Sequence, residues 1–148
     1  MVKVGLRIPR TYKIAYFTLL LTSWVSGISF FILNTWIMVE GDFGPEKHPW
    51  QFTFLKIHGA AAFLMMISYG FILASHVPAA WKTKRMRLLG LTITIALSFL
   101  VFTAYLLYYI AGEEFRIWVS YAHSAIGFSL PFLIISHLIA VHRSRKKH

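Results

Sequence analysis

The chain has 148 residues, 57% hydrophobic and 17% aromatic, with a formal net charge of +10 and no cysteine. A soluble domain is less apolar than this. The missing cysteine excludes disulfides, thiolate zinc sites, iron–sulfur ligation and covalent CxxCH haem attachment.

The positive charge does not point to nucleic acid, because of where it lies. Lys3, Arg7, Arg10 and Lys13 form one cluster, Lys82, Lys84, Arg85 and Arg87 a second, and Arg143, Arg145, Lys146 and Lys147 a third. All five acids (Glu40, Asp42, Glu46, Glu113, Glu114) occupy two other stretches. Between these charged segments lie four apolar runs, at about 14–38, 51–77, 88–110 and 118–141. Each has the roughly 20 apolar residues that a membrane-crossing helix needs, and they are too long and unbroken for barrel strands. The expected architecture is all-α: one membrane-embedded domain over residues 1–148, built as a four-transmembrane-helix bundle. Four crossings gather the basic clusters on one face and both acidic loops on the other. The positive-inside rule then puts both termini in the cytoplasm, with the clusters beside anionic lipid. The first run is as long as a span and shows no small-residue cleavage site, so a cleavable signal peptide is not expected.

In chain order, the first span, "IAYFTLLLTSWVSGISFFILNTWIM", has no ionisable residue and serves packing. The outer loop "VEGDFGPEKHPW" contains Gly41, Gly44, Pro45 and Pro49, so it is expected to be irregular, with His48 solvated in it. The second span carries His58 and His76. The third has no histidine, and its Tyr105, Tyr108 and Tyr109 read as an interfacial aromatic belt. The short turn "AGEEFR" makes spans three and four antiparallel neighbours. The fourth span carries His123 and His137, with His142 at its end.

An ionisable side chain inside a span is costly and marks function by default. A lone membrane histidine also serves as an interhelical hydrogen-bonding contact, but four in a pattern ask for more. Spans two and four run in the same direction. His58 and His123 both fall near the outer face. His76 and His137 each precede a basic residue (Lys82, Arg143) by six positions and so lie near the inner face. At ~100° per residue, the eighteen-residue step from His58 to His76 closes five turns, and the fourteen-residue step from His123 to His137 is about 40° short of four. Each pair therefore shares a helix face, whereas His142 is about 100° off the face of His123. The steps rise ~27 Å and ~21 Å, so helix tilt or a kink at Pro131 is needed to level the two pairs. Two imidazoles facing across a helical core suit the axial positions of a haem iron, which favours electron transfer over oxygen binding. Gly59, Ala60, Ala61, Ala62, Gly70, Ala125 and Gly127 are small neighbours for a flat macrocycle. HExxH, intramembrane carboxylates, a Ser–His–Asp set and desaturase-type histidine boxes are all absent.

The stretches "LKIHGAAAFL", "LASHVPAAW" and "SYAHSAIGFSLPFLIISHLIAVH" resemble the four-helix dihaem membrane cytochromes b, the membrane subunits of formate dehydrogenases and nickel–iron hydrogenases. The likeness covers about residues 51–142. It implies two haem b groups, one toward each face, electron exchange with a quinone, and a redox protein partner or larger respiratory complex. It implies His123 and His137 as fourth-helix ligands and His58 as the outer second-helix ligand. His76 takes the inner position that some relatives fill from the first helix, which has no histidine here. Lys56 and Arg116 are candidates for the outer haem propionates, and Lys82, Arg85 or Arg87 for the inner ones. A bacterial or archaeal cytoplasmic membrane is the expected location. Two other classes stay open: a stand-alone quinone-coupled oxidoreductase acting at the outer haem, and a haem-free scaffold or transporter subunit.

Overall fold

The computed structural model describes residues 9–82 and 87–146, with side chains as far as Ser144. Lys3, Arg7, Lys84, Arg85, Lys147 and His148 lie outside the described residues, as do the side chains of Arg145 and Lys146. The described residues form four helices: α1 (Arg10–Thr35), α2 (Trp50–Lys82), α3 (Arg87–Tyr109) and α4 (Glu113–Lys146). All four are long and apolar enough to cross a membrane. Only 6–17% of each helix's most apolar window is buried inside the chain, so most of the apolar side chains face outward. That distribution suits hydrocarbon, which solvates apolar side chains and demands only that backbone groups be bonded internally.

The helix ends depart from the apolar runs. The first helix starts at Arg10, just after Pro9, whose φ of −55° and missing N–H suit a helix entrance. It ends at Thr35, where the Trp36 N–H bonds the Ile32 carbonyl at 3.0 Å. Met38, expected in the first span, is in a strand instead. The second helix continues past Val77 through Pro78 to Lys82, and the fourth runs unbroken through Pro131. A proline inside a helix removes one i→i−4 bond. Such a residue is tolerated in membrane helices because neighbouring groups re-satisfy the freed carbonyl. Glu113 and Glu114, expected in a turn, form the first turn of α4, where negative charge is favourable against the helix dipole.

The outer loop is not irregular. Strands β1 (Met38–Gly41) and β2 (Gly44–Lys47) pair antiparallel, Met38 opposite Lys47 and Gly41 opposite Gly44. The glycines and Pro45 shape the hairpin rather than break it. Asp42 and Phe43 make a two-residue turn, closed by Gly44 at a φ of +116° that L side chains rarely adopt. At Gly41 a Cβ would run into the Glu46 carboxylate. Pro45 has no N–H, which a two-stranded ribbon tolerates because every strand is an edge. His48 is not simply solvated. Its Nδ1 accepts the Trp50 N–H at 3.2 Å and its carbonyl accepts the Gln51 N–H at 3.0 Å, so it caps the start of α2.

The contacts divide the chain into two units, one of α1, the hairpin and α2 as far as Ser68, the other of α2 from Tyr69, α3 and α4. In the first, α1 and α2 are antiparallel and tied at three levels. Tyr12 donates its hydroxyl to the Ser68 carbonyl at 2.6 Å, His58 meets Ser23, and the Gln51 amide donates to Asn34 Oδ1 at 3.1 Å. An apolar groove of about 300 Å³, lined by Leu21, Thr22, Val25, Ser26, Phe54 and Ile57, opens along the same pair. In the second, α3 and α4 are antiparallel neighbours, as their short connection requires. Gly90 lies opposite His137, Leu100 opposite Gly127 and Thr103 opposite His123, in constant register. The buried Tyr69 hydroxyl joins α2 to α3, bonding the Thr94 carbonyl at 2.9 Å and Ser98 Oγ at 2.8 Å.

Candidate functional site

All four intramembrane histidines named above are half-buried, and His142 is exposed. His58 belongs to the first unit, and His76, His123 and His137 to the second.

His58 packs against the one stretch of α1 that can admit it. Its Nδ1 lies 2.8 Å from the Ser23 carbonyl oxygen. A carbonyl only accepts, so Nδ1 carries the proton and donates it. In a neutral imidazole that places the lone pair on Nε2. Gly27 opens this approach. A Cβ there would stand 2.9 Å from His58 Nδ1 and 3.0 Å from Cε1, well inside van der Waals contact. Ser26 leaves the Ser23 carbonyl largely to His58, since its hydroxyl bonds the Thr22 carbonyl at 2.6 Å and that of Ser23 at only 3.1 Å. Gly27→Ala is therefore expected to push the ring off the Ser23 carbonyl and to cost about 1–3 kcal/mol through overpacking. Denaturation in detergent measures the cost, and an unchanged midpoint would refute the packing argument.

His123 is held the same way by a different group. Its Nδ1 is 2.8 Å from Thr103 Oγ1 on α3. Thr103 Oγ1 also lies 2.8 Å from the Phe99 carbonyl and 3.2 Å from that of Leu100 on its own helix, and the tautomer of His123 decides which partner of the Thr103–His123 bond donates. Thr103 is one of two buried polar residues among those described, 3% exposed, and the other is Ser26.

The remaining pair lies wholly in the second unit. His137 Cε1 is 4.0 Å from the position a Cβ would take on Gly90, so the glycine leaves room beside the ring. Among the described residues, the buried Nδ1 of His137 has no hydrogen-bond partner. An orphaned buried polar atom costs roughly 1–3 kcal/mol.

The cationic candidates are less committed. Lys56, Lys82 and Arg116 are exposed. Arg87, a candidate for the inner propionates, donates Nε and Nη2 to the Trp81 carbonyl at 3.1 and 2.7 Å and lies 4.9 Å over the Trp81 ring. It therefore caps the carboxyl end of α2, as a cation does well against the helix dipole. Among the described residues no group of three or more His, Cys, Asp or Glu could hold a bare metal ion.

The donor set fits a haem iron in a specific way. A metal-binding histidine nearly always donates its other ring N–H to a carbonyl or similar acceptor, which fixes the tautomer and raises ligand basicity. His58 has that acceptor in the Ser23 carbonyl, His123 Nδ1 lies 2.8 Å from Thr103 Oγ1, and His137 has a buried Nδ1 without a partner among the described residues. Sequence reasoning did not find Ser23, Gly27 or Thr103. The only signal was a small or hydroxyl residue inside an apolar run, and such residues serve ordinary helix packing as well. Comparison with protein-family models, with curated proteins and with solved structures finds no match to the chain.

Proposed function

We propose that the chain is a membrane-embedded b-type cytochrome with two haem b groups, passing electrons between a quinone and a redox partner protein or larger respiratory complex. The observation that carries this reading is that two half-buried histidines, each within an apolar helix, have Nδ1 2.8 Å from an oxygen on a neighbouring helix, the contact that orients a metal-binding imidazole. His58, His123, His76 and His137 are the proposed axial ligands, and Lys56 and Arg116 the proposed partners of propionates on the acidic-loop side. Bound haem supplies one-electron chemistry; the chain supplies axial nitrogens, their orientation and an apolar surround. The charge clusters support both termini in the cytoplasm of a bacterial or archaeal cell.

The test is the spectrum and haem content of the purified chain. A reduced-minus-oxidised spectrum with a b-type α band and a pyridine haemochrome value near two haems per chain are expected. Because the same two hydrogen bonds also join helices, a haem-free membrane scaffold is the competing reading. A chain expressed with ample haem that shows no α band would select it. A reproducible value of one would remove the inner site and, with it, His76.

A further inference from the structure

The base of the hairpin is tied to the ends of α1 and α2, and one of the ties depends on the charge of a histidine. Pro49 has no N–H, so the Trp50 N–H is the first donor of α2 that needs an acceptor. His48 Nδ1 supplies it at 3.2 Å. A backbone N–H can only donate, so this nitrogen carries no proton, and the bond exists only while the imidazole is neutral. The first turn of α2 is then set against α1. The Gln51 N–H bonds the His48 carbonyl at 3.0 Å, and the Gln51 side-chain amide donates to Asn34 Oδ1 at 3.1 Å. Lys47 Nζ, at the end of β2, donates to the Asn34 carbonyl. We propose that His48 is a pH-sensitive latch: neutral, it fixes the start of α2 and the hairpin base to the end of α1; protonated, it releases them.

The two effects of protonation have the same sign. A proton on Nδ1 takes the lone pair from the Trp50 N–H, and the imidazolium stands against the positive end of the α2 dipole. The groups around the joint do not offset that cation. The Glu46 carboxylate is folded across Gly41, at the turn end of the hairpin. Asp42 is in the turn itself, and Glu40 stands opposite Pro45 in the ladder. Lys47 adds a like charge. From α1 comes no acid and no basic residue in the last turn; α2 has no acid in its first turn, and its first charged residue is Lys56. The latch also has little reserve, because Gln51 Oε1 is buried without a partner among the described residues, so the Gln51 side chain holds α1 by its single bond to Asn34. The latched state is therefore present with His48 neutral and is lost as pH falls through the range in which histidine charges, about pH 8 to 5. In the proposed topology this joint lies on the face away from the cytoplasm, where pH follows the medium. The latch itself needs no haem.

The sequence makes the joint easy to observe. Asn34 and Gln51 are the chain's only asparagine and only glutamine, so the 15N spectrum of the full chain in detergent holds one side-chain amide pair for each. Between pH 8 and pH 5 the Trp50 backbone amide is expected to move, and its exchange protection, corrected for the intrinsic rate, to fall about fivefold. The Gln51 amide pair should move with the same midpoint. His48→Ser, whose hydroxyl accepts at every pH in this range, should hold both signals still. In His48→Ala both should already be released at pH 8. Signals of Trp50 and Gln51 that stay fixed in the parent would overturn the proposal. The same movement in His48→Ser would overturn it too, by assigning the titration to another group. Movement of Trp50 with Gln51 fixed would reduce His48 to a local cap and remove the latch. None of these outcomes depends on the haem spectrum, so the latch and the cytochrome reading fail separately.

Discussion

If the chain binds the two haems proposed, alanine at His123 is expected to take the haem content from two per chain to one and to leave the helices folded. The loss is complete rather than partial because no other imidazole on α4 can take over. His137 is fourteen residues further along a continuous helix, ~21 Å away. Folding survives because the deletion breaks one neutral hydrogen bond, to Thr103, worth roughly 0.5–1.5 kcal/mol. The helices themselves bury little inside the chain and answer mainly to the membrane. The depth argument from the sequence puts His58 at the level of His123, so His58→Ala is expected to remove the same spectral component. Haemochrome assay with circular dichroism decides it. Two haems retained in His123→Ala would remove this residue from the ligand set, and different components lost from the two variants would undo the depth argument.

Much of the membrane architecture was legible because hydropathy and charge are local properties. Four apolar runs and five charged segments read directly as four helices and their connections. The ends were less legible, since they depend on single residues acting in context. The second apolar run ends at Val77, yet the helix continues through Pro78 to Lys82. Gly41 and Gly44 looked like loop residues, yet the two residues between them are what a tight hairpin needs. At the candidate site the histidines stood out, because an ionisable group in lipid is rare enough to be a signal alone. Their partners did not. Ser23 acts through its main chain, which carries no side-chain signature. Gly27 acts by lacking a Cβ. Thr103 is one hydroxyl among several on the apolar helices, and only the register of α3 against α4 selects it over Thr92 or Thr94, whose hydroxyls turn back to their own helix. Register is a property of packing between helices, so it is invisible until the helices are paired.

Register also bears on the inner ligand of α4, where His137→Ala is expected to abolish the inner haem and His142→Ala to leave both. His142 has one argument for it. It is nineteen residues from His123, close to the eighteen between His58 and His76, and would level the two pairs better than His137 does. To present its ring on the face of His123, however, it would need α4 to unwind or bulge near Pro131, since it is otherwise about 100° off that face. α4 is continuous α-helix from Glu113 to Lys146, so no such turn is spent. His142 is exposed and adjoins Arg143, as an interfacial residue does, whereas His137 is half-buried beside Gly90 with a buried ring nitrogen that no group among the described residues satisfies. Phase, burial and an unmet hydrogen-bonding group therefore outweigh vertical fit, which tilt can absorb at less cost than unsatisfied backbone in hydrocarbon, several kcal/mol per group. Haem content and the reduced spectrum of the two variants decide between them. Loss of the inner haem in His142→Ala, with both haems kept in His137→Ala, would show that α4 bends near Pro131 after all.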